Sequence, residues 1–287
     1  MNNKKWSKEE CDKLRMIYKD YSNKELAKIF NRGEGSIDYK KRQLGLTINP
    51  KNKDRGDQNF FDKIDTEEKA YWLGFIYADG YINNSTRNYE LGIELNYKDV
   101  EHLNKFNKIF NNYYKVQRKI KSYNSVEKLN GNIETNRVGE MCLIRIYSKS
   151  IYEGLVKNNI VQNKTYSKIY PRIEDKVLFL HFLRGYIDGD GSYTLRTTKR
   201  EYNTLKEYKY PSISIEGNNY EMFNYIINKL KNDFDIKANV YPDRTSYKFQ
   251  IRKQKDCIKL INLMYDNASI YLDRKFEKIK EIKSIAV

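Results

Sequence analysis

The first 46 residues alternate short amphipathic stretches with polar breaks, and this pattern predicts a small helical unit. Ser7 with Glu10, and Ser22 with Glu25, have the Ser-x-x-Glu spacing of a capping box, in which two side chains bond a helix N-terminus reciprocally. Apolar residues at helical spacing follow each pair. We therefore expect two helices that begin at these serines.

A third helix is predicted after a turn at residues 32–35. Ser36 is expected to open it over residues 37–43, and Gly45 to end it, because glycine tolerates the left-handed conformation that follows many helices. Three short helices with a small residue, Ala27, in the second are typical of a helix-turn-helix.

The same segment carries the charge of a DNA-binding module. Residues 1–55 contain 15 Lys and Arg against 8 Asp and Glu. Together with Trp6 and the closing sequence at 44–46, these features resemble the Myb-like and related helix-turn-helix domains, which implies DNA binding; a three-helix module for a protein partner is the alternative. A groove-reading third helix would present its cations to DNA. These candidate contacts are Lys40, Lys41 and Arg42.

Beyond a polar stretch at residues 49–60, which predicts a linker, the chain repeats one order of elements twice. A nine-residue motif occurs at 72–80 as WLGFIYADG and again at 183–191 as LRGYIDGDG, with the final aspartates 111 positions apart. The pattern after each motif predicts a mixed α/β unit with antiparallel hairpins. The predicted strands lie at 90–96, 113–121, 141–147, 212–216, 238–241 and 247–252, and the predicted helices at 100–110, 150–157, 220–234 and 256–265.

Composition narrows the class of protein. The 287 residues include 54 Lys and Arg against 38 Asp and Glu, a net charge of +16 that is spread along the chain. This balance is typical of a nucleic-acid binder, and no stretch approaches the roughly 18 apolar residues that a bilayer crossing needs. Three scattered cysteines and two histidines argue against zinc clusters, disulfide frameworks and histidine-based metal nucleases. Any catalysis must therefore use carboxylates, lysines and a bound metal.

Each motif places small residues four positions apart, on one face of a helix. They are Gly74 and Ala78 in the first copy and Gly185 and Gly189 in the second. A glycine inside a helix costs roughly 1 kcal/mol relative to alanine, so a packing reason is expected, and two motif helices in contact would supply it. The aspartates that end the motifs would then lie side by side. Two carboxylates there would repel unless a divalent cation such as Mg²⁺ lay between them.

Both motifs resemble the LAGLIDADG signature of homing endonucleases, and the resemblance covers roughly residues 60–287. It implies an α+β fold in which two pseudo-symmetric αββαββα repeats form a DNA-binding saddle, here preceded by the small all-α helix-turn-helix domain. It also implies that Asp79 and Asp190 are catalytic metal ligands, assisted by the backbone carbonyls of Ala78 and Gly189.

The resemblance further implies a basic residue near the start of the last helix of each repeat, which steadies the water or the transition state. The matching positions are Lys149 and Lys255, with Lys253 competing for the second role; ordinary surface lysines are the alternative. The sequence departs from the signature at Tyr77, where the second copy keeps Asp188. This difference suggests that the two half-sites are not equivalent.

Two such repeats would place antiparallel sheets over adjacent stretches of the major groove, with every second side chain directed toward the bases. A charged edge that only aids solubility is the alternative. The candidate base contacts are Arg87 and Arg145, with Asn88 and Glu90, in the first copy, and Arg196, Lys199, Arg200, Lys248, Gln250 and Arg252 in the second.

These features predict a helix-turn-helix domain at 1–48, a linker at 49–60 and repeats at 61–170 and 171–287. They predict a cytoplasmic, monomeric endonuclease that hydrolyses phosphodiester bonds of double-stranded DNA, with Mg²⁺ as cofactor and Mn²⁺ or Ca²⁺ able to replace it for binding. We expect no membrane partner. A non-cleaving transcriptional regulator and an RNA maturase remain alternatives on the same fold. An intein is not expected, because the chain does not end in the His-Asn pair of splicing elements.

Overall fold

The structure is a computed structural model that describes residues 5–18, 21–46, 54–85, 88–123, 137–164, 167–202 and 204–284, with the backbone alone for 198–202 and 204–208. Contacts within the chain divide it into two units, Met1–Asp54 and Arg55–Val287. None of the helices in the described ranges combines the length and apolarity that a bilayer crossing requires.

The first unit is a bundle of three short helices around a small apolar core. The helices are α1 (Lys8–Ile17), α2 (Asn23–Ile29) and α3 (Glu34–Gln43). Both predicted capping boxes are confirmed. The side chains of Ser7 and Ser22 each accept a hydrogen bond from the backbone N–H of the glutamate three residues on, and that glutamate's side chain accepts one from the serine's backbone N–H. Leu14, Leu26 and Ile37 are fully buried at the centre of the unit.

The third helix begins earlier than the sequence predicts. Its N-cap is Gly33 rather than Ser36, and Glu34 occupies the first turn, where its charge is favourable for the helix dipole. The predicted end is confirmed, since Gly45 has φ +66° and the N–H of Leu46 bonds the carbonyl of Lys41 at 2.8 Å.

The second unit contains two copies of one element order, as predicted. The first copy comprises α4 (Glu67–Asp79), β1 (Gly80–Ser85), β2 (Asn88–Asn96), α5 (Val100–Lys108), β3 (Val116–Tyr123), β4 (Arg137–Tyr147) and α6 (Lys149–Lys157). The second comprises α7 (Lys176–Asp190), β5 (Gly191–Tyr202), β6 (Thr204–Gly217), α8 (Tyr220–Phe234), β7 (Asn239–Asp243), β8 (Ser246–Ile251), α9 (Gln254–Tyr265) and an additional helix, α10 (Asp273–Lys283). The α+β class and the αββαββα order are confirmed.

Each copy forms a four-stranded antiparallel sheet, with strand orders β1-β2-β4-β3 and β5-β6-β8-β7. The registers of the two sheets correspond. Gly80 pairs with Ile93, as Gly191 pairs with Ile215 at the start of the other sheet. Strands β1 and β5 therefore start directly at the ends of the motif helices, and this places the motif aspartates at one edge of each sheet.

Part of the predicted linker, 49–60, packs into the second unit. Gly56 has φ +65°, and a side chain there would meet the backbone of Ile109 and Phe110. Asp57 donates its N–H to the carbonyl of Ile109 at 3.0 Å, and Phe60 is 5% exposed. The repeat core thus includes residues before the first motif helix.

Candidate active site

The two motif helices, α4 and α7, pack directly on each other through their glycines. A Cβ on Gly74 would lie 2.0 Å from the carbonyl oxygen of Phe182, and a Cβ on Gly185 would lie 2.0 Å from that of Tyr71. No other residue type fits at this distance, so the glycines have the packing reason that their spacing predicts. The seam is therefore held at backbone-to-backbone contact.

The final aspartates come together where the seam ends. Asp79 is the last residue of α4 and Asp190 the last residue of α7. A Cβ on Gly189 would lie 2.3 Å from the Cβ of Ala78 and 3.2 Å from Oδ2 of Asp79, so this carboxylate reaches across to the second motif. Both motif ends contribute to one small acidic centre.

The electrostatics of this centre favour a cation. Burial raises the pKa of Asp79 to about 6, with the charge of Asp190 adding to the rise, while Lys164 and other cations oppose it. Burial likewise raises the pKa of Asp190, against the effect of Lys164 and Lys275. Partial loss of hydration and mutual repulsion both disfavour the ionised form of two neighbouring carboxylates. A cation between them stabilises that form.

Two lysines that sequence reasoning missed lie at this centre. Lys164 donates through Nζ to the carbonyl of Ala78 at 2.7 Å and to that of Gly80, and Lys275 donates through Nζ to the carbonyl of Gly191. Burial lowers the pKa of both ammonium groups, and the nearby aspartates oppose the shift.

The sequence contained a signal for these lysines. Positions 164 and 275 are 111 apart, the same spacing that separates the two motif aspartates. A search for lysines and arginines repeated at the motif offset would have kept this pair as one of five within the repeats. The residues around Lys164 differ from those around Lys275, so the local sequence does not show that the two lysines correspond.

The lysines that the sequence analysis selected are exposed residues at the starts of α6 and α9. Lys149, the first residue of α6, is 64% exposed and lies 3.5 Å from Glu153. Lys255 and its competitor Lys253 are exposed at the start of α9. A role for them at a phosphate stays a prediction.

The donor set at the motif ends suits a hard divalent cation. Mg²⁺ prefers carboxylate, carbonyl and water oxygens, and it commonly takes one or two carboxylates from the protein and the rest from substrate phosphates and water. Asp79 and Asp190 match that demand. The described residues contain no cluster of three or more histidine, cysteine or acidic side chains suited to a metal, so solvent and substrate oxygens would complete the coordination. Of the residues whose carbonyls are considered as ligands, Ala78 accepts the Lys164 bond, and Gly189 lies against Ala78 in the seam.

The second sheet gathers several predicted DNA contacts on its outer face. Gln250 accepts from Arg252 Nε at 2.7 Å and from the Tyr241 hydroxyl at 3.4 Å, and Lys248 lies beside Glu216 at 2.5 Å. A cavity of about 200 Å³ opens here. It is lined by Arg196, Tyr210, Pro211, Ser212, Gln250 and Arg252.

In the first sheet, the outer face carries a charged pair. Arg145 lies 3.0 Å from Glu90, and the Tyr81 hydroxyl donates to the same carboxylate at 2.9 Å. Asn88, at the start of β2, is exposed. Arg87 lies outside the described residues, and for Lys199 and Arg200 only the backbone, within β5, is described.

In the first unit, the three predicted cations of α3 have different surroundings. Lys41 donates to Asn23 at 3.1 Å, Lys40 donates to Gln43 at 2.9 Å, and Arg42 forms an ion pair with Asp38. Tyr39 is 62% exposed on the same helix. The exposed surface of α3 therefore carries the ring of Tyr39 and the amide of Gln43 as well as cations.

Comparison with known proteins locates relatives for both repeats. Residues 183–285 match the family described as LAGLIDADG endonuclease, and residues 68–130 match the WhiA LAGLIDADG-like domain. No curated protein matches the chain.

Solved structures share the fold over about three quarters of the chain. The meganuclease I-SmaMI bound to uncleavable DNA is similar with a TM-score of 0.54 and 14% identity, over 75% of this chain and 89% of that one. The LAGLIDADG meganuclease I-AabMI bound to uncleaved DNA gives a TM-score of 0.50 and 14% identity, over the same shares of the two chains. At these identities the likeness establishes the fold.

Proposed function

We propose that this chain, a LAGLIDADG-family protein with both repeats on one polypeptide, is a metal-dependent endonuclease that cuts double-stranded DNA at a specific site as a monomer. One observation carries the proposal: two duplicated, glycine-faced helices meet and bring Asp79 and Asp190 to a shared acidic centre. Structural neighbours with this fold are meganucleases bound to DNA. The net charge of +16 favours a polyanionic partner.

Asp79 and Asp190 would hold a divalent cation, and Mg²⁺ fits their oxygen ligands. When bound, such an ion polarises the scissile phosphate and lowers the pKa of a coordinated water. In the hydrolysis, a water oxygen bonds to phosphorus, the opposite P–O bond breaks, the water loses a proton and the leaving oxygen gains one. The protein contributes the position of the two carboxylates, which the glycine seam holds in place.

Lys164 and Lys275 would supply positive charge at the reacting phosphates. Preorganised cations at the place where charge develops stabilise a transition state without reorganisation. Each lysine is held by backbone carbonyls at a motif end, so its ammonium group is fixed close to the acidic centre. Lys149 and Lys255 remain candidates for a second, more exposed cationic contribution.

The outer faces of the two sheets would bind the duplex. Arg196, Lys248 and Arg252 provide donors beside Gln250, which is 2% exposed and accepts from Arg252 and Tyr241 through its amide oxygen. Arginine and glutamine are the side chains that read guanine and adenine edges in the major groove.

The first unit would extend the site as a helix-turn-helix. Its three-helix architecture and the exposed Tyr39 and Arg42 on α3 support a groove-binding role. Linking two modest DNA binders raises the overall affinity when the tether lets both engage.

The test is cleavage of a supercoiled plasmid library with a randomised insert by the full chain and Mg²⁺, followed by sequencing of the cut ends. We expect one recovered site, and loss of cutting with retained DNA binding in Asp79→Asn and Asp190→Asn. Asp266→Asn, which alters an aspartate at the end of α9 paired with Lys283, is the matched control and should cut normally. Unchanged cutting by both motif variants would refute the proposal.

A DNA-binding role without cleavage is the second candidate, and the match of residues 68–130 to the WhiA LAGLIDADG-like domain favours it. It predicts that the same library yields a bound sequence by gel-shift selection but no cut ends with Mg²⁺ or Mn²⁺. Both motif aspartates in one centre favour the nuclease, because a binding protein needs no paired carboxylates near phosphate.

A further inference from the structure

We infer that Asp188 is a positioning residue for Lys275, and that this arrangement, absent at the corresponding position of the first repeat, makes the two half-sites cut their strands in a fixed order. The inference rests on the proposed nuclease function. It concerns which strand is cut first, which neither the fold nor the motif pattern specifies.

Asp188 is a fully buried carboxylate with three donors. Oδ1 accepts from the Tyr265 hydroxyl at 2.5 Å, and Oδ2 accepts from the Tyr71 hydroxyl at 2.9 Å and from the backbone N–H of Leu272 at 2.9 Å. These donors come from α9, from α4 and from the residue that precedes α10. A buried carboxylate without hydrogen-bond partners costs free energy, and the three donors offset that cost. Asp188 therefore links α7 to α4, to α9 and to the start of α10.

The bond to Leu272 connects Asp188 to the lysine at the acidic centre. Leu272 is the N-cap of α10, and its carbonyl accepts the N–H of Lys275 at 2.9 Å. Lys275 is 9% exposed and reaches the carbonyl of Gly191 through Nζ. Asp188 therefore fixes the first turn of α10, and that turn fixes Lys275.

Among the described residues, the first repeat has no such anchor at the equivalent position. Tyr77 lies 111 positions before Asp188, and its ring packs against Tyr186 and Phe182, with centroids 5.2 and 6.4 Å away. Lys164, the counterpart of Lys275, follows α6 and lies outside the described α-helices, and its ammonium group bonds the carbonyls of Ala78 and Gly80. The two ammonium groups are thus held by different means.

The consequence is kinetic. A misplacement of about 1 Å at a reacting group costs on the order of 100-fold in rate, so the lysine carried on an anchored helix should support the faster reaction. The strand that depends on Lys275 is then cut first, and nicked DNA accumulates before the second cut.

The experiment follows each strand separately. The full chain acts with Mg²⁺ on a duplex that carries the site recovered from the plasmid library, end-labelled on one strand or the other. Lys275→Met identifies the strand that depends on Lys275, and Lys164→Met should slow the opposite strand. We expect wild type to cut the Lys275 strand first, and Asp188→Asn to slow that strand by roughly 10- to 100-fold while the other strand changes less than about threefold.

Three further variants separate positioning from general destabilisation. Leu272→Pro deletes the backbone donor to Asp188 at a position whose φ of −81° suits proline, and it should reproduce the strand bias of Asp188→Asn. Because it also removes the buried Leu272 side chain, Leu272→Ala, which keeps the donor, is its control and should leave the strand ratio unchanged. Tyr71→Phe removes a donor to the same carboxylate from the α4 side, and it should leave the strand ratio unchanged. These variants give an answer even if Asp188→Asn does not fold.

The outcomes separate the two proposals. No cutting by wild type would overturn the nuclease function itself. Active wild type with equal slowing of both strands in Lys275→Met, or with an unchanged strand ratio in Asp188→Asn and Leu272→Pro, would overturn the positioning role and leave the nuclease proposal intact.

Discussion

Gly74 lies so close to Phe182 that a Cβ on the glycine would be 2.0 Å from the phenylalanine carbonyl oxygen. The obstacle is the backbone of the opposite helix, which cannot move aside as a flexible side chain could. The close approach of α4 to α7 therefore requires glycine, which has no Cβ, at position 74. The meeting of the two motif aspartates depends on the same approach.

Gly74→Ala is expected to destabilise the second unit by about 3 kcal/mol or more, because the added methyl forces the two helices apart. Urea unfolding monitored by circular dichroism measures the loss. Gly35→Ala, the same change in α3 where nothing lies within 4 Å of the new Cβ, should change stability by about 1 kcal/mol or less, toward stabilisation. Equal stability of wild type and Gly74→Ala would contradict the close packing of the seam.

The metal-free protein should lose stability as the pH rises from 4 to 7. The folded-state pKa of Asp79 is about 6, above its ordinary value of 3.8, so the folded state binds the proton more tightly than the unfolded state between these values. Stability is then greatest at the acidic end of this window and falls as pH rises through it. The expected contribution is about 1–3 kcal/mol.

Asp79→Asn isolates that contribution, because asparagine stays neutral throughout the window. With EDTA present, the variant should be more stable than wild type at pH 7.5 and similar to it at pH 4, as measured by urea unfolding. A variant that is less stable than wild type at pH 7.5 would show that the carboxylate is stabilised by its lysines rather than destabilised by burial.

Added Mg²⁺ should reverse the order. A ligand that binds only the folded state stabilises it by about 2.7 kcal/mol at 100 times its dissociation constant, which raises the melting temperature by several degrees. Differential scanning fluorimetry at pH 7.5 should show this rise for wild type and a much smaller one for Asp79→Asn and Asp190→Asn. The same rise in all three proteins would place the cation elsewhere.

Arg252→Ala should weaken specific DNA binding by about 1–3 kcal/mol and relax specificity at one base position, because it removes a donor and releases Gln250 from its orientation. Fluorescence anisotropy with the recovered site and single-base variants measures both effects. Lys278→Ala, which removes a lysine of α10 paired with Glu281, is the charge-matched control and should change affinity little. A uniform loss across all sequences would indicate a phosphate contact instead.

Deleting residues 1–50 should weaken specific binding and leave metal-dependent cleavage intact at saturating protein. The physical reason is that the acidic centre lies wholly within the second unit, Arg55–Val287, whereas the first unit has a core of its own. Binding by anisotropy and single-turnover cleavage separate the two effects. Loss of all nicking at saturation would mean that the first unit completes the catalytic unit.

Local patterns made much of the fold predictable. Capping boxes at Ser7 and Ser22 and the helical apolar periods are short-range features, because residues three and four apart meet on any helix. The start of α3 was misplaced at Ser36, whereas the helix begins after an extended Gly33 that has no side-chain cap, with Glu34 in the first turn, where its charge favours the helix dipole. Helix α10 was missed because most of its residues are charged and it offers few apolar positions, although Ile279 and Ile282 are buried.

The sequence alone determined the duplication and the glycine-faced motif helices, because equal spacing and residue size are properties of the chain itself. Only the tertiary structure decided which lysines join Asp79 and Asp190, since Lys164 lies 85 positions from Asp79 and many other lysines compete for the role. It also decided that Asp188 binds the N-terminus of α10, 84 residues away. Contacts at such separation depend on the path of the whole backbone, which local periodicity and composition do not specify.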